Sequence, residues 1–109
     1  MPKPDSLQGS MDLLVLKILS RRPGLHGYAL MSAIQDISGE VLRAEEGSLY
    51  PALHRMEQDG WISSKWEITD KGRKAKVYSI TERGGAQLAE EHETWERLTR
   101  GVARVLKYT

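Results

Sequence analysis

Gly47-Ser48-Leu49-Tyr50-Pro51-Ala52-Leu53-His54-Arg55-Met56-Glu57-Gln58-Asp59-Gly60 is the stretch that decides the fold. Leu49, Leu53 and Met56 stand at i, i+4 and i+7, the spacing of one helix face. Ser48 reads as an N-cap ahead of them. Pro51 then falls in the first turn, where a missing N–H costs nothing, and Gly60 reads as the glycine just past the last turn. His54 and Arg55 lie off the apolar stripe and are expected to face outward. The period then changes. Residues 61–69 and 75–81 carry the Trp, Ile, Val, Tyr and Thr that strands favour, and Asp70-Lys71-Gly72 between them is a turn sequence. A helix that stops on glycine therefore runs straight into a β-hairpin with a cationic tip.

Upstream lie two more helical patterns. Met11, Leu14, Val15, Ile18 and Leu19 repeat with helical spacing behind Ser10, a candidate N-cap, and Arg21-Arg22-Pro23-Gly24 ends the run. Leu13 and Leu16 add apolar surface on another side, which hints at a subunit contact. A second helix is expected from about His26-Gly27 to Ile37, with Tyr28, Met31, Ile34 and Ile37 on one face and Ser38-Gly39 closing it. Downstream, Thr81 can cap a final helix over residues 82–107, roughly 39 Å long at 1.5 Å per residue. Leu88, His92, Trp95, Val102 and Leu106 recur along it in heptad-like steps, the pattern of a helix that packs on a partner.

The expected fold is mainly α with a two-stranded β-hairpin: a winged helix-turn-helix over residues 10–81, a dimerisation helix over residues 82–109, and a flexible lead-in over residues 1–9. In that arrangement the third helix enters the major groove of duplex DNA, and the wing lies along phosphate or the minor groove.

Composition narrows the alternatives. The chain has 109 residues, 39% of them hydrophobic and 28% charged, which suits one ordered domain rather than a disordered segment. Without cysteine it holds neither a disulfide framework nor a thiolate metal site. Its longest apolar stretch, residues 13–19, is interrupted by Lys17 and too short to span a bilayer, so a cytoplasmic protein with no membrane partner is expected. His26, His54 and His92 fall in three separate elements, so neither metal nor cofactor is expected. No nucleophile stands at motif spacing from a base, which argues against an enzyme.

Net charge is only +1, but its distribution is uneven. Residues 61–80 hold Lys65, Lys71, Arg73, Lys74 and Lys76 against Glu67 and Asp70, whereas residues 40–59 hold two arginines against five acids. A DNA footprint must be local. The acidic stretch keeps a second reading open, a winged-helix protein-interaction module with no DNA target.

His26-Gly27-Tyr28, Gly47-Ser48-Leu49-Tyr50-Pro51-Ala52-Leu53, Glu57-Gln58-Asp59-Gly60-Trp61-Ile62 and Lys76-Val77-Tyr78-Ser79-Ile80-Thr81-Glu82-Arg83-Gly84 together resemble the PadR family of bacterial transcriptional regulators. The Leu-Tyr-Pro-Ala-Leu string with the downstream Tyr-x-Ile-Thr is the specific part, and the single last helix is similar to the compact branch of that family. The resemblance implies a homodimeric repressor on an inverted-repeat operator, released by a small molecule or stress signal. DNA contact is expected from His26, Tyr28, Ser48, Tyr50, Arg55, Lys71, Arg73, Lys74 and Lys76, and dimerisation from Leu88, His92, Trp95, Val102 and Leu106. Trp95 with Met11 and Val15 is the candidate lining for a small aromatic effector, although a dimer-seam anchor is the favoured reading of Trp95.

Overall fold

The third helix ends in a hydrogen-bonded stop that aims everything after it. In the computed structural model, which describes residues 10–109, α3 (Glu46–Gln58) closes on Gly60 at φ +80°, with Trp61 N–H donating to the Met56 carbonyl and Gly60 N–H to that of Glu57. This double closure needs a left-handed residue, which glycine supplies without strain. Strand β2 (Ile62–Ile68) leaves directly from it and pairs antiparallel with β3 (Lys74–Ile80). The tip turns on Gly72 at φ +77°, with Thr69 N–H donating to the Arg73 carbonyl.

Ahead of α3 lie α1 (Met11–Arg21), β1 (Leu25–His26) and α2 (Gly27–Ile37); α4 (Glu82–Leu106) follows β3. The sheet has three strands in the order β1-β3-β2, not two. Leu25 and His26 pair with Tyr78 and Val77, which fastens the entry to α2 onto the root of the wing. Two residues are too few for any alternation to announce them.

Buried faces of the first three helices meet in one core: Val15, Leu16 and Leu19 of α1, Leu30 and Ile34 of α2, Leu49, Leu53 and Met56 of α3. Ile62 and Tyr78 close it from the sheet. The α3 stripe stands as expected, but its start does not. Glu45 occupies the cap position, Ser48 lies inside the helix, and Pro51 falls beyond the first turn. On α2 the core face is Leu30, Ala33 and Ile34, while Tyr28 and Ile37 point to solvent. The second apolar face of α1 meets its own chain: Leu16 is fully buried, and α1 packs along α4. The lead-in expected over residues 1–9 lies outside the described residues. No helix among them is long and apolar enough to cross a membrane.

Besides its packing along α1, α4 is fastened to this body at its first turn. Thr81 accepts from Gly84 N–H at 3.0 Å as an N-cap and donates its hydroxyl to the Gly60 carbonyl at 2.6 Å, while Thr81 N–H donates to the Trp61 carbonyl at 3.0 Å. A Cβ on Gly84 would stand 2.0 Å from that Trp61 carbonyl oxygen; one on Gly85 would meet nothing within 4 Å. Adjacent glycines thus have opposite status. Gly84→Ala is expected to destabilise by about 1–3 kcal/mol through overpacking, whereas Gly85→Ala should raise stability by up to about 1 kcal/mol from helix propensity. Thermal melts of the two variants check this, and equal shifts would contradict the close approach.

Candidate nucleic-acid interface

The outer face of α3 presents Ser48, Tyr50, His54 and Arg55 to solvent. Tyr50 leans toward the start of α2, where a Cβ on Gly27 would lie 2.5 Å from its hydroxyl. Glycine between His26 and Tyr28 is therefore what lets the two helices of the pair approach. The same region forms a cleft of about 340 Å³ lined by His26, Gly27, Tyr28, Tyr50, Ala75, Lys76 and Tyr78. Burial pushes the Tyr78 hydroxyl pKa up, partly offset by the nearby Lys76 charge.

The wing meets α3 through Glu57. Ser64 of β2 donates its hydroxyl to one carboxylate oxygen, and Lys76 of β3 pairs with the other at 3.3 Å while standing 5.8 Å over the Tyr78 ring. The Ser64 hydrogen bond first, then Lys76 and the nearby His54, hold the Glu57 carboxyl below its ordinary pKa against the opposing effect of desolvation. Glu57 thus braces α3 against the wing.

Two residues expected to reach DNA have a partner inside the protein. Arg55 forms a two-pronged pair with Asp12 of α1, Nη2 to Oδ1 at 2.7 Å and Nη1 to Oδ2 at 2.8 Å. That places its guanidinium as a strut between α3 and α1. Lys76 is the wing's tether to Glu57. By contrast, Lys71, Arg73 and Lys74 stand exposed at the wing tip with no ion-pair partner among the described residues, and Ser48 and Tyr50 of α3 and Tyr28 at the α2 start are exposed. His26 occupies the cap position of α2 without a side-chain cap bond. Asp12 and Glu57 were invisible as site residues. Asp12 is 43 positions from its partner, and Glu57 looks like any acid at a helix end.

The remaining expectations divide along α4. Its first half lies on the body, where the partly buried Leu88 packs against the core. Beyond Glu91 every residue is exposed, including His92, Trp95, Leu98, Val102, Val105 and Leu106. His92 lies 4.0 Å from Glu96 of the same helix. A cleft of about 200 Å³ sits between α1 and α4, with Trp95, which is 46% exposed, among its walls. Met11 and Val15 are not. Both are sealed in the core, because α1 turns its 11–15–19 edge toward the other helices. No group of three or more His, Asp or Glu able to hold a metal occurs among the described residues.

A helix pair whose second member is exposed, followed by a β-hairpin held against it, defines a winged helix-turn-helix. The transcriptional regulator PadR-like family matches residues 15–90, most of the chain, and this protein belongs to that family. It is accordingly a transcriptional regulator and not an enzyme. A transcriptional regulator of Mycobacterium tuberculosis is 41% identical over 68 residues, a match that spans 62% of this chain and 63% of that protein. A transcriptional regulator of Clostridium thermocellum superposes with a TM-score of 0.84 at 26% identity, covering 93% of this chain and 97% of the other. For a PadR-like regulator of Bacillus cereus the values are 0.78 and 29%, over 94% and 97%.

The Glu57 tether has a pH signature. A carboxyl whose folded pKa is lowered contributes stability above its unfolded pKa and loses it as pH falls through the folded one. The stability gap between wild type and Glu57→Gln is therefore expected at neutral pH and should close in acid. Urea unfolding at a series of pH values measures it, and a gap that widened in acid would contradict the assignment.

Proposed function

We propose that the protein binds duplex DNA as a homodimer, with α3 in the major groove and the wing on the flanking backbone, and that it represses transcription by occupying an inverted-repeat operator. The observation that carries this is the shared side of two features. Tyr50 near the start of α3 and Lys76 of the wing line one cleft, and Lys74 shares the sheet face of Lys76, so the exposed start of α3 and this wing cation lie on the same side. Ser48 and Tyr50 are the assigned readers, with Tyr28 and His26 at the α2 start as backbone contacts. Lys71, Arg73 and Lys74 supply counterion release.

Dimerisation is assigned to the outer half of α4. Trp95, Leu98, Val102 and Val105 follow a heptad and stand uncovered. Two α3 helices about a two-fold axis would read half-sites roughly 34–36 Å apart. The α1–α4 cleft beside Trp95 is the assigned seat for a releasing small molecule, with an aromatic ring the chemistry that Trp95 favours.

Lys74→Ala should weaken binding to all duplexes alike and reduce the slope of log K against log salt by about 0.9. Fluorescence anisotropy on the promoter region of the chain's own gene, at several salt concentrations, tests this. A changed sequence preference with an unchanged slope would overturn the wing's role. For the dimer, Val102→Asp lies on an exposed position and should leave the fold intact while converting dimer to monomer in sedimentation equilibrium. A wild-type chain that sediments as a monomer would overturn that assignment.

A further inference from the structure

Strand β2 carries an apolar pair that the fold does not use. Trp66 is 65% exposed and Ile68 75% exposed, two residues apart and so on one face of the hairpin. The register places Trp66 opposite Lys76 and Ile68 opposite Lys74, and directly opposed residues share a face. Followed toward the root, the same face runs through Ser64 and Tyr78 to Ile62 and Ile80, where it joins the core. Its middle is fastened to α3 by Ser64 and Lys76 on Glu57. The uncovered end therefore confronts whatever α3 lies on.

From this placement, and resting on the duplex-binding reading above, we infer that Trp66, backed by Ile68, is an apolar wedge for the minor groove of duplex DNA next to the segment read by α3. The chemistry is that of a cationic ribbon with an apolar keel. Lys74 beside Ile68, with Lys71 and Arg73 at the turn, meets phosphates on the groove walls, while the indole enters between sugars and partly unstacks a base step. Steps that unstack easily, pyrimidine followed by purine, cost least, so the wedge gives sequence preference at positions α3 never touches. A second copy of the chain fits this face poorly. The charged side chains that the two strands place on this face are Lys74 and Lys76, with no strand acid among them, so a copy packed face to face would set cation against cation.

The test uses the full chain and a duplex enriched by wild type from a randomised library, with 2-aminopurine at the flanking step. Trp66→Ala is expected to keep the wild-type melting temperature and weaken binding by about tenfold or more, the size of one lost stacking contact. It should leave the salt slope unchanged, since no cation is removed, and abolish both the flanking-step preference and the rise in 2-aminopurine fluorescence. Trp66→Phe should restore most of each. Wild-type affinity and flanking preference in Trp66→Ala would overturn the wedge while leaving duplex binding by α3 standing. Enrichment of no duplex by wild type would instead bring down the duplex-binding reading and the wedge with it. Loss of an oligomer in Trp66→Ala would hand the face to a second copy and overturn the wedge.

Discussion

Everything in this molecule turns on the corner where four chain segments meet. Gly60 and Trp61 end α3 and open β2; Thr81 and Gly84 end β3 and open α4. One threonine side chain satisfies the first turn of α4 and reaches back to the Gly60 carbonyl, and a missing Cβ lets α4 lie on the Trp61 carbonyl. Helix ends carry four unsatisfied backbone groups each; here α3 closes on its own Gly60 turn, and Thr81 both caps α4 and ties it to the carbonyls of that turn. The angle between α3, wing and α4 is thereby fixed by backbone geometry rather than by side-chain packing alone.

Charge in this chain does two different jobs, and position in the fold tells them apart. Arg55 with Asp12, and Lys76 with Glu57, each span two elements and brace them. Partly exposed pairs of this kind contribute at most about 1 kcal/mol each, so their importance is geometric. The tip cations brace nothing. A near-neutral protein can present a cationic edge because its acids lie off the wing tip, Glu45 and Glu46 at the start of α3, Glu57 and Asp59 at its end, and five glutamates along α4.

The fold was legible where local chemistry sets it. The 49–53–56 stripe, the Gly60 stop, the Asp70-Lys71-Gly72 turn and the Thr81 cap are all decided within a few residues, and each stands where the sequence puts it. What escaped was decided at long range. Strand β1 exists only because Tyr78 and Val77, some fifty positions on, offer it an edge. Arg55 looked like a base reader until the fold brought Asp12 to it. Met11 and Val15 looked available for an effector because periodicity shows which residues share a face, not which way that face points. Tyr28 was grouped with the α2 core for the same reason. Trp66 and Ile68 read simply as strand formers, since β propensity reports a residue type and is silent on burial.

Helix α4 runs about 38 Å at 1.5 Å per residue, and only its first half touches the body. Such a beam, clamped at one end by the Thr81 corner, is a lever. Turning this helix by a few degrees about its far end carries α3 through ångströms without altering a contact inside the body, because the arm is so long.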